Sequence, residues 1–159
     1  TQEKQLDILE IGSGTGNLAE TLLNNSQKTL NYMGMEVDDL LIDLSASIAE
    51  VVNSVAVYIQ GDAVRPHILK ESNVIISDLP IGYYPNDEIA SRFKVAATGE
   101  HTYAHHLLME QSLKYLKKDG IAIFLAPTNL LTSPQSDLLK KWLSGYYCCY
   151  YSSRSSFWQ

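Results

Sequence analysis

Apolar residues fall in two rhythms along this chain. Short runs rich in Ile, Leu, Val and Tyr at 7–11, 31–37, 55–60, 74–77 and 121–126 are each closed by charge or turn residues, and they predict five strands. The stretches 17–23, 40–52 and 103–117 carry apolar side chains at three- and four-residue steps and predict helices. In the third, Leu107, Leu108, Gln111 and Tyr115 follow that step, while Lys117, Lys118 and Gly120 supply last-turn cations and a C-cap glycine. Strands alternate with helices, so the expected fold class is α/β: a doubly wound, mostly parallel sheet that binds ligands at the carboxyl ends of its strands. One connection, 79–100, is longer than such loops usually are and is marked as functional or mobile.

The first strand runs into a glycine loop. Gly12, Gly14 and Gly16, with Ser13 between the first two, let the backbone turn sharply and approach a ligand closely. A pyrophosphate loop is G-x-G-x-x-G; here the third glycine comes one residue early and Glu10 precedes the first by two positions. A carboxylate there repels a pyrophosphate. It suits a cofactor with cationic groups, such as the ammonium and sulfonium of S-adenosylmethionine. A nicotinamide-dependent dehydrogenase is disfavoured on the same residues.

The other strand ends extend this set. Glu36 lies twenty residues after Gly16, where an acidic side chain accepts both hydroxyls of a ribose, with Val37 beside it. Asp62 is placed to accept from an adenine amine, and Ala63 leaves room for the ring. The fourth strand ends in Asp78-Leu79-Pro80-Ile81-Gly82-Tyr83-Tyr84.

In order and identity, residues 6–143 resemble the class I S-adenosylmethionine-dependent methyltransferases, specifically the adenine-N6 DNA methylase family. That family includes modification subunits of type I restriction systems, and the look-alikes are stand-alone forms of Gram-positive bacteria. The resemblance implies a Rossmann-like methyltransferase fold with S-adenosylmethionine as cofactor and the adenine amine of DNA as acceptor. It matches the family's glycine loop to Glu10, Gly12, Gly14 and Gly16, its ribose acid to Glu36 and its adenine contact to Asp62. The catalytic Asn/Asp-Pro-Pro-aromatic signature is matched in part by Asp78, Leu79, Pro80 and Ile81.

The chemistry explains the signature. An exocyclic adenine amine is a poor nucleophile because its lone pair is delocalised into the ring. The Asp78 carboxylate and a backbone carbonyl at Leu79 or Pro80 would hold both N–H groups and favour the pyramidal nitrogen of the transition state. An aromatic ring normally follows to stack on a flipped base. Ile81 stands in its place, and Tyr83 or Tyr84 is the ring available beyond Gly82, the alternative being that both pack the loop against the sheet. A cofactor-binding relic without catalysis is the competing reading.

With 159 residues, 45% of them hydrophobic, the chain is expected to form one core domain over 1–145. It shows neither a signal pattern nor a membrane-spanning run, so a cytoplasmic location is expected. A net charge of −6 gives no surface made to grip nucleic acid, and a target-recognition region is expected to lie outside the chain. His101, His105 and His106 lack a further ligand at metal spacing, so no metal is expected, and Arg92 and Lys94 are read as solvated. The tail, 146–159, is compositionally foreign, with paired Tyr and Cys followed by Ser. Read one base later it yields family-like residues, which suggests a coding frame shifted near Tyr146 and a domain truncated at both ends.

Overall fold

The computed structural model describes residues 5–97 and 101–146. In chain order these form β1 (Leu6–Ile11), α1 (Asn17–Asn25), β2 (Leu30–Glu36), α2 (Asp39–Val51), β3 (Val57–Gln60) and β4 (Ser72–Asp78). The short α3 (Asp87–Ala90) follows, then α4 (Ala104–Leu113), β5 (Leu116–Leu125), a 3-10 turn (Pro134–Ser136) and α5 (Asp137–Tyr146). Every pairing is parallel and the strand order is β3-β2-β1-β4-β5. The chain therefore winds outward from β1 in one direction and then, at β4, in the other. This is the doubly wound sheet expected from the alternation of elements.

Period-two alternation along β1 sends neighbouring side chains to opposite faces. Leu9 and Ile11 join Met35 and Ile75 in a core closed by Leu107 of α4 and Leu139 of α5. Ile8 joins Leu30, Tyr32 and Ala19 of α1 on the other face. Helix α2 lies against β2 and β3 and starts where Asp38 accepts the amides of Leu40 and Leu41. No helix among the described residues is long and apolar enough to cross a membrane.

Two sequence expectations need correction. Helix α4 does not run to Lys117 and Gly120 does not cap it: the helix ends at Leu113 and β5 begins at Leu116. Residues 105–113 are all buried, so no polar stripe marks where the helical period stops. Beyond it, Ser72 and Val74 of β4 pair with Leu116 and Ile121, so Asn73 faces a bulge at 117–120. Gly120 belongs to that bulge, where a Cβ would stand 2.7 Å from Leu116 Cδ1 and 2.9 Å from the Asn73 carbonyl. The long connection after β4 is also not wholly irregular, since it contains α3, capped by Asn86 on the Ile89 amide. Expectations for 147–159 lie outside the described residues.

The bulge delivers Lys117 to Asp7 at the amino end of β1. The Asp7 carboxylate accepts from Lys117, Lys70 and Asn31, and its own amide donates to Asn73. The Lys117 bond, with Asn31, Lys70 and Coulombic attraction behind it, holds the carboxyl well below its usual range. Asp7→Ala is expected to cost about 2–4 kcal/mol, because the side chain is largely buried while Lys70 is mostly exposed. In thermal melts the loss should be full above about pH 5, where the unfolded chain also ionises this group, and should shrink as pH falls below about 4. A gap that stayed constant down to about pH 2 would show that the ion pairs are not its source.

Candidate functional site

The carboxyl ends of β1, β2, β3 and β4 converge on the glycine loop. Gly12, Gly14 and Gly16 have φ of +73°, +53° and +81°, a conformation L side chains rarely adopt. Met35 accepts the amides of Gly12 and Ser13 at 2.8 and 3.1 Å, which hangs the loop on the end of β2. Gly16 is the N-cap of α1 and offers no side-chain cap, so the helix opens with free amides. A Cβ on Gly16 would stand 2.4 Å from the Tyr58 hydroxyl. A Cβ on Gly12 would stand 3.8 Å from the Asp78 carbonyl, so the loop and the end of β4 adjoin.

Each acidic side chain expected from the sequence is found at this rim with a partner of its own, except Asp78. Glu36 accepts the Gly14 amide at 2.9 Å and the amides of Val37 and Asp38 at 2.8 and 3.1 Å. A carboxylate has about four acceptor sites, so ribose hydroxyls would share it with, or displace, the Gly14 amide. Val37 stands exposed beside it. Glu10 is buried beneath the loop and accepts from the Tyr32 hydroxyl at 2.8 Å. Burial, opposed by that hydrogen bond and aided by the Glu36 charge, pushes its carboxyl up to about 7. Asp62, followed by half-buried Ala63, accepts the Val64 amide at 3.0 Å and the Tyr84 hydroxyl at 2.5 Å. Asp78 is exposed at the end of β4.

The residues after Asp78 form an arch. Leu79, buried, donates its amide to Leu125, and Tyr84, buried, donates its amide to Thr102, so 80–83 span two fixed feet. Between them Ile81 is 80% exposed and Tyr83 52%, with Gly82 at a φ of +142°. The two tyrosines thus part company. Tyr84 packs in the core with its hydroxyl on Asp62, and burial, then Asp62, pushes that phenol up to about 12. It presents no open face to an acceptor. Tyr83 does, and its inner face stacks on Tyr103 with centroids 4.5 Å apart and planes 12° apart.

Sequence reasoning missed the second layer. Tyr103 stacks on His105, whose Nδ1 is buried without a partner among the described residues, and burial, opposed by the Pro80 backbone, holds its pKa below the usual value. His101 pairs with Asp87, and His106 with Ser136. Tyr32 and Tyr58, which looked like ordinary strand residues, lie under the glycine loop. Only the strand register, which sets Tyr32 opposite Ile8 two residues before Glu10, could have signalled the first. Ser13 Oγ and the Tyr58 hydroxyl are buried there without a partner among the described residues. Uncapped amides, two buried unpaired hydroxyls and the carboxyl groups of Glu10, Glu36, Asp62 and Asp78 fit a ligand that carries both hydroxyls and positive charge.

Known proteins share this architecture. The chain is 41% identical over 140 residues to YtxK of Bacillus subtilis strain 168, a protein of uncharacterised function; the match covers 87% of this chain and 43% of that protein. A candidate class I S-adenosylmethionine-dependent methyltransferase from Listeria monocytogenes superposes with a TM-score of 0.83 at 30% identity, over 91% of this chain and 46% of the other. TrmN of Thermus thermophilus follows at a TM-score of 0.58 and 18% identity, over 86% and 35% of the two chains. A Geobacter sulfurreducens S-adenosylmethionine-dependent methyltransferase, solved with S-adenosyl-L-homocysteine, gives 0.52 and 18%, over 76% and 42%. No protein-family profile matches the chain. The chain spans less than half the length of each of these proteins. The fold is the Rossmann-like fold of the class I methyltransferases.

Proposed function

We propose that this chain, with the fold of the class I S-adenosylmethionine-dependent methyltransferases, is the cofactor-binding and catalytic core of an enzyme that methylates the exocyclic amine of adenine in DNA. The cofactor is S-adenosylmethionine. The observation that carries the reading is the set of acids at three parallel strand ends: Glu36 bonded to the Gly14 amide, Asp78 with its carbonyl beside Gly12, and Asp62 bonded to Tyr84 at the foot of the arch. Glu36 would hold the ribose and Asp62 the adenine, while Glu10 and the loop amides would hold the amino-acid end. When bound, the cofactor supplies an electrophilic methyl group on a sulfonium.

The chain's own residues would do the rest. Asp78 accepts one N–H of the acceptor amine and a carbonyl of the arch accepts the other, so the nitrogen pyramidalises without a strong base. Tyr83 offers its outer face to the base, its inner face being fixed by Tyr103. Exposure of Asp78 gives the released proton a path to water.

One observation favours a second acceptor class. Asp38 and Asp39 open α2 beside Glu36, while Arg65 and Arg92 are already engaged by Asp62 and Glu88. Such a rim suits a small neutral or cationic amine better than a polyanion. The test uses labelled S-adenosylmethionine with adenine-containing DNA and, separately, adenosine. Label recovered as N6-methyladenine from DNA supports the first reading, and label on free adenosine alone supports the second. Failure to bind S-adenosylhomocysteine would sink both.

Glu10 gives cofactor binding a pH signature. With a carboxyl pushed up to about 7, it is part protonated near neutrality, and a bound ammonium favours its ionised form. Binding should release a proton, and affinity for S-adenosylhomocysteine should rise up to tenfold between about pH 6 and about pH 8 and then level off. Glu10→Gln should flatten the curve. Calorimetry at about pH 6.5 in buffers of different ionisation enthalpy reads the proton directly, and equal heats in all buffers would remove Glu10 from the cofactor's neighbourhood.

A further inference from the structure

Tyr84 has no part in the reaction outlined above, yet its side chain bridges the cofactor half of the site to the acceptor half. Its hydroxyl lies 2.5 Å from Asp62 Oδ2, across 22 residues of sequence. Its amide, 2.9 Å from the Thr102 carbonyl, makes it the carboxyl-side foot of the arch. Thr102 is buried with the ring, and Asp62 is half-buried. At Asp62, Oδ1 is turned onto the Val64 amide at 3.0 Å, and Arg65 Nε stands 3.5 Å from Oδ2. The carboxylate's plane is thus set from two sides, by its own turn and by a hydroxyl from another loop. Rotating it to meet any other donor breaks one of these bonds. A carboxylate held in one plane offers its remaining lone pairs in fixed directions, which lets an acceptor site tell an N–H from a carbonyl oxygen.

We propose that Tyr84 is a positioning residue that holds the Asp62 carboxylate in the orientation selecting the 6-amino group of the cofactor's adenine, and thereby couples occupancy of the adenine site to the arch that faces the acceptor. The inference rests on the functional reading above, because it takes Asp62 as the adenine contact. It differs from a packing role for Tyr84 in what it predicts. Packing stabilises the protein whatever the ligand; positioning changes which ligand is preferred.

The measurement is calorimetric binding of S-adenosylhomocysteine and of its 6-oxo counterpart, S-inosylhomocysteine, which presents an oxygen where adenine presents an amine. The intact chain is expected to prefer the amine by at least about tenfold. Tyr84→Phe, which keeps the ring in the core, should cut that preference to about threefold or less, and Asp62→Asn should do the same. Because Tyr84 acts through Asp62, adding Tyr84→Phe to Asp62→Asn should change the preference no further. An unchanged preference in Tyr84→Phe, or additive losses in the double variant, would overturn the proposal.

Should Tyr84→Phe fail to fold, hydrogen exchange in Asp62→Asn keeps the question open to refutation. That variant alters only the β3 loop, yet the Tyr84 amide should exchange several-fold faster, and exchange at the rate of the unmodified chain would overturn the coupling. If the unmodified chain binds no S-adenosylhomocysteine, the functional reading falls and takes this inference with it. If it binds and selectivity ignores Tyr84, only the inference falls.

Discussion

Asp78→Ala is expected to lower methyl transfer by about 10²–10³-fold while leaving S-adenosylhomocysteine affinity within about threefold. The separation follows from geometry. Asp78 ends β4 with its carboxylate exposed and touches the glycine loop only by proximity of its backbone, whereas the groups assigned to the cofactor belong to other strands. Removing the side chain deletes an acceptor for the substrate amine, needed most when that nitrogen pyramidalises, so the loss should appear in kcat more than in KM. Asp78→Asn keeps an oxygen acceptor in the same place and should retain activity within about tenfold, since holding an N–H and not taking a proton is the task. Single-turnover kinetics with labelled cofactor separates the two. A collapse of cofactor affinity in Asp78→Ala would put the residue in the cofactor site, and an Asn variant as inactive as Ala would make it a base.

Gly16→Ala should nearly abolish cofactor binding, by about 30-fold or more, and lower the melting temperature by about 4–20 °C. The residue sits at a φ of +81°, which costs an L side chain about 1–2 kcal/mol, and its Cβ would lie 2.4 Å from the Tyr58 hydroxyl and 3.3 Å from Ser45 Cβ. Overpacking of this kind costs about 1–3 kcal/mol more. A shift of the loop away from α2 and β3 relieves both contacts and misplaces the amides that open α1. Tyr58→Phe removes the atom that is struck, and that hydroxyl has no partner to lose. Combined with Gly16→Ala it should restore part of the stability. Calorimetry and thermal melts read both effects, and a Gly16→Ala protein that bound S-adenosylhomocysteine normally would show that the loop does not cradle the cofactor.

Much of this architecture can be read from the chain because its signals are local. The glycine loop, the acidic residues at the ends of β2 and β3, and the strand–helix alternation each lie within a few consecutive residues. What could not be read depends on partners far away in sequence. The end of α4 is invisible because Tyr115 and Leu116 continue its apolar period. They leave the helix because the Tyr115 hydroxyl is held by the backbone of His67 and the Ser72 amide takes the Tyr115 carbonyl, which delivers the next residue to β4. Tyr83 and Tyr84 are equivalent as text, and partners distant in sequence separate them: Tyr84 turns inward onto Asp62 and Tyr83 stacks on Tyr103. Glu10 is legible as an acid just before the glycine loop, but not as a carboxyl with a tyrosine lid, because Tyr32 meets it only through strand register.

Asp7 gathers donors from β2, β5 and the segment before β4 and gives its own amide to Asn73 of β4, all at the first residues of β1. That arrangement works as a checksum on the wiring of the sheet. A strand inserted out of order, or a β5 lacking its bulge, would leave a carboxylate and its lysines stranded at the base of the sheet, so misthreaded sheets are penalised at a single point. Correct order is thus verified at the end of the sheet opposite the chemistry, away from the rim that carries Glu36, Asp62 and Asp78.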